Sequence, residues 1–208
     1  LVVVQPRAQG PRKSFDGFDV IGFPAPAPPV PFVRNYFRNE RLYRRLGAYL
    51  TTLIKDERID LIHAQHELTG PASVRAAKAA GIPSVCTVRD YWPLCYWNDL
   101  VRDPLAGDVC PACSPGGMTR CLPPRVGGVW PLTMPFIPYM RANLRQKQHS
   151  LAAADAIVAV SGQVATYLRT RAPDLAHARI ETIPNGVDVP AVRAHAQAEG
   201  SIVVPVCA

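Results

Sequence analysis

Residues 152–188 contain a strand, a helix and a second strand in close succession, and this succession constrains the fold more than any other segment. Ala156–Val160 is a short apolar run that contains β-branched residues, which is typical of a strand covered on both faces. Ser161 stands where an N-cap would begin the next helix. Arg179–Ile183 alternates apolar and polar residues and ends at the Pro-Asn-Gly turn at 184–186. This order predicts one β-α-β unit.

A second succession of the same kind lies between residues 57 and 92. It predicts an apolar strand at 59–64, an Ala-rich helix at 70–80 and a further short strand at 84–88. The sequence Gly-Ile-Pro at 81–83 separates the helix from that last strand. Strands that alternate with helices pair in parallel through right-handed crossovers. The sequence therefore predicts an α/β fold, with a Rossmann-like parallel sheet and helices on both faces.

The remaining segments predict further strands, one long helix and several loops. Leu1–Val4 and Phe18–Phe23 are short apolar strands, and Ser201–Cys207 could form another. A long helix is expected at 31–56, because its apolar residues recur at helical spacing. Loops are expected at 5–17 and 24–31, and a long irregular loop rich in cysteine and proline at 91–134.

Several of these segments resemble the N-terminal domain of family 4 glycosyltransferases, which have the GT-B fold. The matching sequences are ADAIVAVS followed by ETIPNGVD, and IDLIHAQH followed by GIPSVCTVRDYW. The resemblance implies that 1–190 is the acceptor-side domain, with a cysteine-rich insertion at 91–134, and that 191–208 is a linker and the start of a second domain. It also implies truncation at both ends, because the family's first βα unit and its C-terminal domain have no counterpart in this sequence.

The same resemblance implies an activity. The family transfers a sugar from a nucleotide-sugar donor to an acceptor with retention of configuration, and the reaction needs no catalytic metal. The donor is expected to bind mainly to the C-terminal domain, so this domain alone should be inactive. The acceptor is expected to be a glycan or a lipid-linked molecule of glycan or cell-envelope polysaccharide biosynthesis. The expected location is the cytoplasm, with peripheral contact to the inner face of the membrane as a further expectation.

Candidate site residues follow the predicted strands, because ligands of such sheets bind at the carboxyl ends of strands. Arg89 and Asp90 are the candidate catalytic pair, although the resembled family usually has histidine in place of Arg89. Arginine stays protonated and cannot act as a general base, but it can bind a phosphate or another anion. The residues expected to contact substrate are His66, Glu67, Ser161, Asn185 and Gly186.

The candidate catalytic pair also has a structural interpretation. Asp90 could cap the following turn with Arg89 as its ionic partner, and the residues support this role about as well as a catalytic one. His63 lies inside a predicted strand, where a buried and hydrogen-bonded structural histidine is expected. No third ligand accompanies His63 and His66, which argues against a metal site built on them.

Four cysteines stand in the predicted loop, at positions Cys95, Cys110, Cys113 and Cys121. A Cys-x2-Cys pair among four thiols is typical of tetrahedral zinc, and it predicts a structural zinc ion that holds a loop of low apolar content. An iron–sulfur cluster uses the same ligands, and free thiols or disulfides are further alternatives.

The chain carries a net charge of +7, from 23 lysines and arginines against 16 acidic residues, which suits anionic partners. Five arginines follow one face of the predicted helix at 31–56. The sequence favours a solvated face there, with contact to anionic lipid headgroups as the alternative. A transferase of this kind needs no nucleic acid partner. The alternative function is a non-enzymatic, zinc-stapled basic module that binds nucleic acid or protein.

Overall fold

The structure is a computed structural model that describes residues 1–7, 10–15, 17–30, 32–186, 189–190 and 193–194. Its strands are β1 Val2–Arg7, β2 Gly10–Phe15, β3 Phe18–Pro24, β4 Ile62–Ala64, β5 Ser84–Val88, β6 Val101–Asp103, β7 Asp108–Val109, β8 Ala156–Ala159 and β9 Ile180–Thr182. Its α-helices are α1 Val33–Tyr36, α2 Leu42–Asp56, α3 Gly70–Ala80, α4 Pro115–Cys121, α5 Pro123–Val126, α6 Trp130–Thr133, α7 Ile137–Ala152 and α8 Gly162–Arg171. A π-helical turn, Phe37–Arg41, joins α1 to α2, and 3-10 turns lie at Gly127–Val129, Met134–Phe136 and Pro173–Leu175.

The central sheet contains four parallel strands in the order β4-β5-β8-β9. Helix α3 connects β4 to β5 and helix α8 connects β8 to β9, so both connections are parallel crossovers. The predicted α/β fold, with a Rossmann-like parallel sheet flanked by helices, is confirmed. The four strands fall where the sequence places them, although β4 begins only at Ile62 rather than at residue 59.

A second sheet, formed by the first part of the chain, has the order β1-β3-β2. Strand β1 runs parallel to β3, whereas β2 runs antiparallel to it with a register shift between Gly10 and Lys13. The sequence predicts β1 and β3 correctly, but its loop at 5–17 is wrong because β2 lies there. The sequence of β2, GPRKSF, shows no alternation of apolar residues. Backbone pairing with β3 holds it as an edge strand.

One face of the central sheet forms the main core. Ala64, Cys86 and Ile157 point to this face and are at most 3% exposed, and they pack with residues of α3, α7 and α8. Burial raises the pKa of the Cys86 thiol to about 12, as expected for a small core residue. The opposite face carries His63 and Val85 and is less buried.

The long helix predicted at 31–56 is observed as α1, the π-helical turn and α2 in succession. Tyr43 and Leu46 of α2 are fully buried and pack in one cluster with Val4 of β1, Phe23 of β3 and Ile62 of β4. Helix α2 therefore covers residues from both sheets. The arginines on the other face of this three-part helical segment are exposed, as predicted: Arg34, Arg38, Arg41, Arg44 and Arg45.

The segment 91–134 contains more regular structure than the predicted irregular loop, namely the β6–β7 hairpin and helices α4 to α6. Arg125 organises this segment. Its guanidinium donates to the Asp99 carboxylate and the Val101 carbonyl, both at 2.6 Å, and lies over the Trp97 ring. An apolar cluster anchors the segment to the domain and contains Phe32, Tyr96, Met118, Leu122 and Met140.

The predicted strand at Ser201–Cys207 lies outside the described residues, as does most of the predicted linker at 191–208. No helix in the described part of the chain is both long and apolar enough to cross a membrane.

Candidate active site

The carboxyl ends of the four parallel strands lie along one edge of the central sheet, which is where such sheets bind ligands. Six of the seven predicted catalytic and substrate-binding residues follow these ends and remain at least partly exposed. They are His66 after β4, Arg89 and Asp90 after β5, Ser161 after β8, and Asn185 and Gly186 after β9.

A row of polar contacts connects the ends of β4 and β5. The Arg89 guanidinium donates from Nη2 to Gln65 Oε1 at 2.8 Å. Gln65 Nε2 lies 3.0 Å from His63 Nε2, which in turn lies 2.8 Å from Thr87 Oγ1. Arg89 is exposed, so its cationic group is held at the sheet edge but stays open to solvent. The row can position one guanidinium towards an anionic ligand.

The environment of His63 differs from the buried site that its strand position predicts. His63 is exposed on the less buried face of the sheet, although the predicted hydrogen bonding is present. Partial burial and the positive charge of Arg89 lower the pKa of His63, which favours the neutral ring. A neutral ring nitrogen can accept a hydrogen bond from the Gln65 amide. Gln65 and Thr87 were not among the residues expected from the sequence, where their position at strand ends was the only available signal.

Asp90 caps the turn that follows it, as its structural interpretation predicts. Its Oδ1 accepts a hydrogen bond from the Trp92 backbone N–H at 2.8 Å. Burial raises the pKa of the Asp90 carboxyl, while this hydrogen bond opposes the increase. Arg89 forms its hydrogen bond with Gln65 and no ion pair with Asp90 within the described residues. The two side chains therefore have separate partners, and only the capping part of the structural interpretation is observed.

The other exposed candidates have simpler surroundings. Ser161 is the N-cap of α8, as predicted, and its Oγ accepts from the Val164 N–H at 3.2 Å. His66 is exposed, and its Nδ1 accepts from the Leu68 N–H at 3.3 Å. Asn185 and Gly186 are exposed in the segment that follows β9. All of these positions can be reached from solvent along the sheet edge.

Glu67 does not have the predicted access to substrate. It is 8% exposed and forms an ion pair with Lys147, whose side chain is 1% exposed. Its second carboxylate oxygen accepts from the Asn98 side chain. Because both oxygens have partners, Glu67 joins α7 and the loop after β5 to the end of β4. Lys147 lies 80 residues away in sequence, so local sequence could not indicate this pair.

The structure does not support the predicted zinc site. In the part of the chain that it describes, no group of three or more His, Cys, Asp or Glu side chains is arranged to hold a metal ion. The Cys110 and Cys121 thiols instead lie 3.2 and 3.3 Å from the carbonyls of Ala112 and Met118. The Arg125 contacts and the apolar cluster around Met118 hold the segment together.

Three of the four loop cysteines are buried, and Cys113 is half-buried. Burial raises the pKa of Cys95 and Cys121, and it raises the pKa of Cys113 to about 12, with a contribution from the neighbouring thiols. All four are free, so no disulfide is present among them. Protonated thiols are poor nucleophiles.

We expect three of the loop thiols, those of Cys95, Cys113 and Cys121, to react slowly in the folded protein. At pH 7.5 their reaction with a disulfide reagent such as DTNB should be about tenfold slower or more than after unfolding, because a raised pKa reduces the thiolate fraction. A spectrophotometric time course under reducing-agent-free conditions measures this difference. Metal analysis can contradict the free-thiol structure. It would do so if the protein contained about one equivalent of bound zinc and if Cys113→Ser released this zinc.

Comparison with known proteins decides the family. Residues 2–190 match the family model described as Glycosyltransferase Family 4. The chain belongs to glycosyltransferase family 4. The resemblance seen in the strand-end motifs is therefore confirmed over nearly the whole chain. Comparison with functionally curated proteins finds no significant match.

This family 4 domain is also similar to solved structures of a plant protein. The crystal structure of Arabidopsis thaliana UGT89C1 matches 90% of the chain at 14% sequence identity, with a TM-score of 0.44. The structure of the same protein complexed with quercetin matches 92% at 14% identity, with a TM-score of 0.39. The family 4 domain covers 42% and 43% of those two chains, so it spans less than half their length.

Proposed function

We propose that this family 4 domain is the acceptor-side half of a retaining glycosyltransferase that uses a nucleotide-sugar donor. The observation that carries the proposal is Arg89, an exposed guanidinium held by Gln65 at the carboxyl edge of a parallel sheet. This edge is the usual ligand position in such folds. A nucleotide sugar has a diphosphate that gains negative charge as the sugar departs, and a fixed cation stabilises such charge.

Each polar residue at the edge can take a definite part in this reaction. Arg89 uses one nitrogen for Gln65, and its guanidinium has further N–H donors for an anion. Asp90 uses Oδ1 for its capping bond, and Oδ2 is suited to accept from an acceptor hydroxyl. His66, Ser161, Asn185 and Gly186 would line the same edge. The donor would bind mainly to a second domain, and the proposed chemistry uses no catalytic metal.

The transfer itself tests the proposal. A full-length enzyme that contains this domain should transfer sugar from a nucleotide sugar with retention of the anomeric configuration, measured by NMR of the product. The domain alone should show no transfer and should bind nucleotide sugars no more tightly than the order of 1 mM by calorimetry, because it supplies only part of the diphosphate contacts. Inversion of configuration, or micromolar binding by the domain alone, would contradict the proposal.

An exposed apolar surface supports a lipid-linked acceptor and peripheral contact with an anionic membrane. Phe32 and Phe136 stack with ring centroids 4.7 Å apart, which brings the segments around α1 and α6 together. Their exposed apolar side chains are Val30, Val33, Tyr36, Val129, Leu132, Met134 and Phe136. Arg34 and Arg38 are exposed on the same segment as α1. Apolar side chains next to arginines are suited to the headgroup region of an anionic leaflet.

Vesicle binding tests this surface. Leu132 is 76% exposed, and Leu132→Glu should lower the partition of the domain onto phosphatidylglycerol-containing vesicles about tenfold, because it removes a leucine that would insert into the membrane and adds charge repulsion. Leu105 is 93% exposed in the β6–β7 hairpin, so Leu105→Glu is the matched control and should have little effect. Cosedimentation measures both variants. An equal loss of vesicle binding in both variants would argue against a specific membrane surface. Equal binding of the unchanged domain to neutral and anionic vesicles would argue against it as well.

The proposed enzyme would act in the cytoplasm, at the inner face of the membrane, in glycan or cell-envelope polysaccharide synthesis. It needs no nucleic acid partner. The alternative of a zinc-stapled binding module has no corresponding support, because the described residues contain no arranged metal ligands.

A further inference from the structure

A small pocket of the domain is lined by three arginines, namely Arg141 and Arg145 of α7 and Arg171 at the end of α8. Its volume is about 180 Å³. Sites for drug-sized ligands usually have about 300–1,000 Å³, so this pocket suits a smaller ligand. Among the residues that the structure describes, none that lines the pocket is acidic, and none belongs to the proposed active site. Positive charge is therefore concentrated there without a compensating carboxylate.

The three arginines have no ionic partners within the described part of the chain. Arg141 and Arg145 are four residues apart on one helix, so their side chains are neighbours and repel each other. Arg145 is exposed, whereas Arg141 and Arg171 are half-buried. Solvent and salt screen half-buried charges less than exposed ones, so the repulsion persists unless an anion joins the arginines.

Arg171 is held in place by two contacts of its own. Its guanidinium carbon lies 3.6 Å from the centroid of the Tyr167 ring, and its Nη1 donates to the Cys110 carbonyl at 3.3 Å. A guanidinium has five N–H donors, so most of them stay available to a ligand. Because the side chain is already ordered, binding an oxyanion costs little further side-chain entropy.

The rest of the lining strengthens such an interaction. The pocket has a buried apolar floor, and attraction between charges is stronger beside such a surface than in water. Gln148 also lines the pocket and is 9% exposed. Its Nε2 donates to the Pro93 carbonyl at 2.8 Å, and the second N–H of this amide is a further donor for a ligand. The apolar residues of the floor, which are at most 7% exposed, are Leu94, Leu100, Met118 and Leu144.

We infer that this pocket binds a small tetrahedral oxyanion, either inorganic phosphate or sulfate. The donors of an arginine match the spacing of phosphate oxygens, and several arginines around one anion are a common phosphate site. The anion would replace the repulsion between Arg141 and Arg145 by attraction. Through Arg171 it would also join α7 to the end of α8 and to the segment that contains Cys110. It would therefore stabilise the domain without taking part in sugar transfer.

Thermal melts at constant ionic strength test the inference. We expect a dissociation constant on the order of 1 mM, so about 10 mM phosphate should raise the melting temperature by about 3–6 °C relative to chloride. Arg141→Gln combined with Arg145→Gln should weaken binding about tenfold and reduce this increase to about 1–2 °C or less. Without phosphate, the melting temperature of this double variant should equal or exceed that of the unchanged domain, because the repulsion is removed.

Two control variants separate the pocket from other arginines. Arg41→Gln combined with Arg45→Gln removes two exposed arginines at the same spacing, so it should keep the full increase in melting temperature. Arg89→Gln should keep it as well, because Arg89 does not line the pocket. An NMR titration of the unchanged domain locates the anion without any substitution. Phosphate should shift the amide resonances around Arg141, Arg145 and Arg171 along one saturable curve.

Three results would overturn the inference. An equal increase in melting temperature for the Arg141 and Arg145 double variant would indicate the general stabilisation that phosphate and sulfate exert on proteins. Resonance shifts confined to the surroundings of Arg89 would place the anion at the sheet edge instead. The double variant could also lose binding to phosphatidylglycerol vesicles while dissolved phosphate has no effect on the unchanged domain. That result would assign the two arginines to lipid headgroups.

Discussion

Replacement of Arg89 by alanine is expected to lower kcat/KM of the full-length enzyme about 30-fold or more. Loss of a charged hydrogen bond to substrate costs about 2 kcal/mol, and each 1.36 kcal/mol corresponds to a tenfold change in rate. The effect should be larger than for most other edge residues, because the Gln65 contact fixes the guanidinium in one position. Arg89→Lys keeps the charge but loses the planar donor set, so it should recover only part of the rate.

Steady-state kinetics and thermal melts together separate a role at the reaction centre from a structural role. Arg75 is an exposed arginine within α3, away from the strand ends, and Arg75→Ala is the matched control. It should leave kcat/KM unchanged. If Arg89→Ala turns over normally, or loses activity only in proportion to lost stability, Arg89 serves the Gln65–His63 row and not the substrate.

Replacement of Lys147 by methionine is expected to destabilise the domain by about 3–5 kcal/mol, because it leaves the Glu67 carboxylate buried without its partner. For a domain of this size the corresponding decrease in melting temperature is roughly 6–20 °C. Denaturant titration followed by circular dichroism measures the free energy of unfolding. Adding Glu67→Gln to Lys147→Met should recover part of the loss, since the unpaired buried charge is then removed.

The exposed ion pair between Arg179 and Glu181 provides the control. Its N–O distance is 3.4 Å, and its side chains are 72% and 56% exposed. Arg179→Met should change the free energy of unfolding by no more than about 0.5 kcal/mol, because solvent screens such pairs. A similarly small effect for Lys147→Met would mean that Glu67 is solvated in solution and available to substrate, as the sequence suggested.

The parallel part of the fold could be predicted because its local signals agree. Strands β5 and β8 are buried on the core face and therefore have short apolar sequences, and Ser161 is a strong N-cap. Strand β2 could not be predicted, because an edge strand that pairs only on one side needs no apolar pattern. The regular structure in segment 91–134 was not predicted for a different reason. Arg125 donates hydrogen bonds to backbone carbonyls 23 and 24 residues away, and local sequence does not indicate such contacts.

The positions of the candidate site residues could be predicted where they depend only on a strand end, and their partners could not be predicted where the contacts come from distant segments. Arg89, Asp90 and Ser161 follow strand ends that can be read from the sequence, so their placement at the sheet edge is correct. The partner of Glu67 lies on α7, and the partner of Arg89 is an uncharged glutamine. The cysteine spacing suggested metal ligation, but burial and backbone contacts govern the thiols in the structure.

Helix α7 makes polar contacts with three separate parts of the chain. Its Asn143 donates to Glu40 in the π-helical turn at 2.9 Å, Lys147 pairs with Glu67 after β4, and Gln148 donates to the Pro93 carbonyl at 2.8 Å. All three side chains of α7 are at most 9% exposed. Opening any one of these segments would leave a buried polar group without its partner, so local fluctuations there are costly. The segments that border the sheet edge should therefore unfold together as one cooperative unit, and the loop after β5 should not open on its own as a flap.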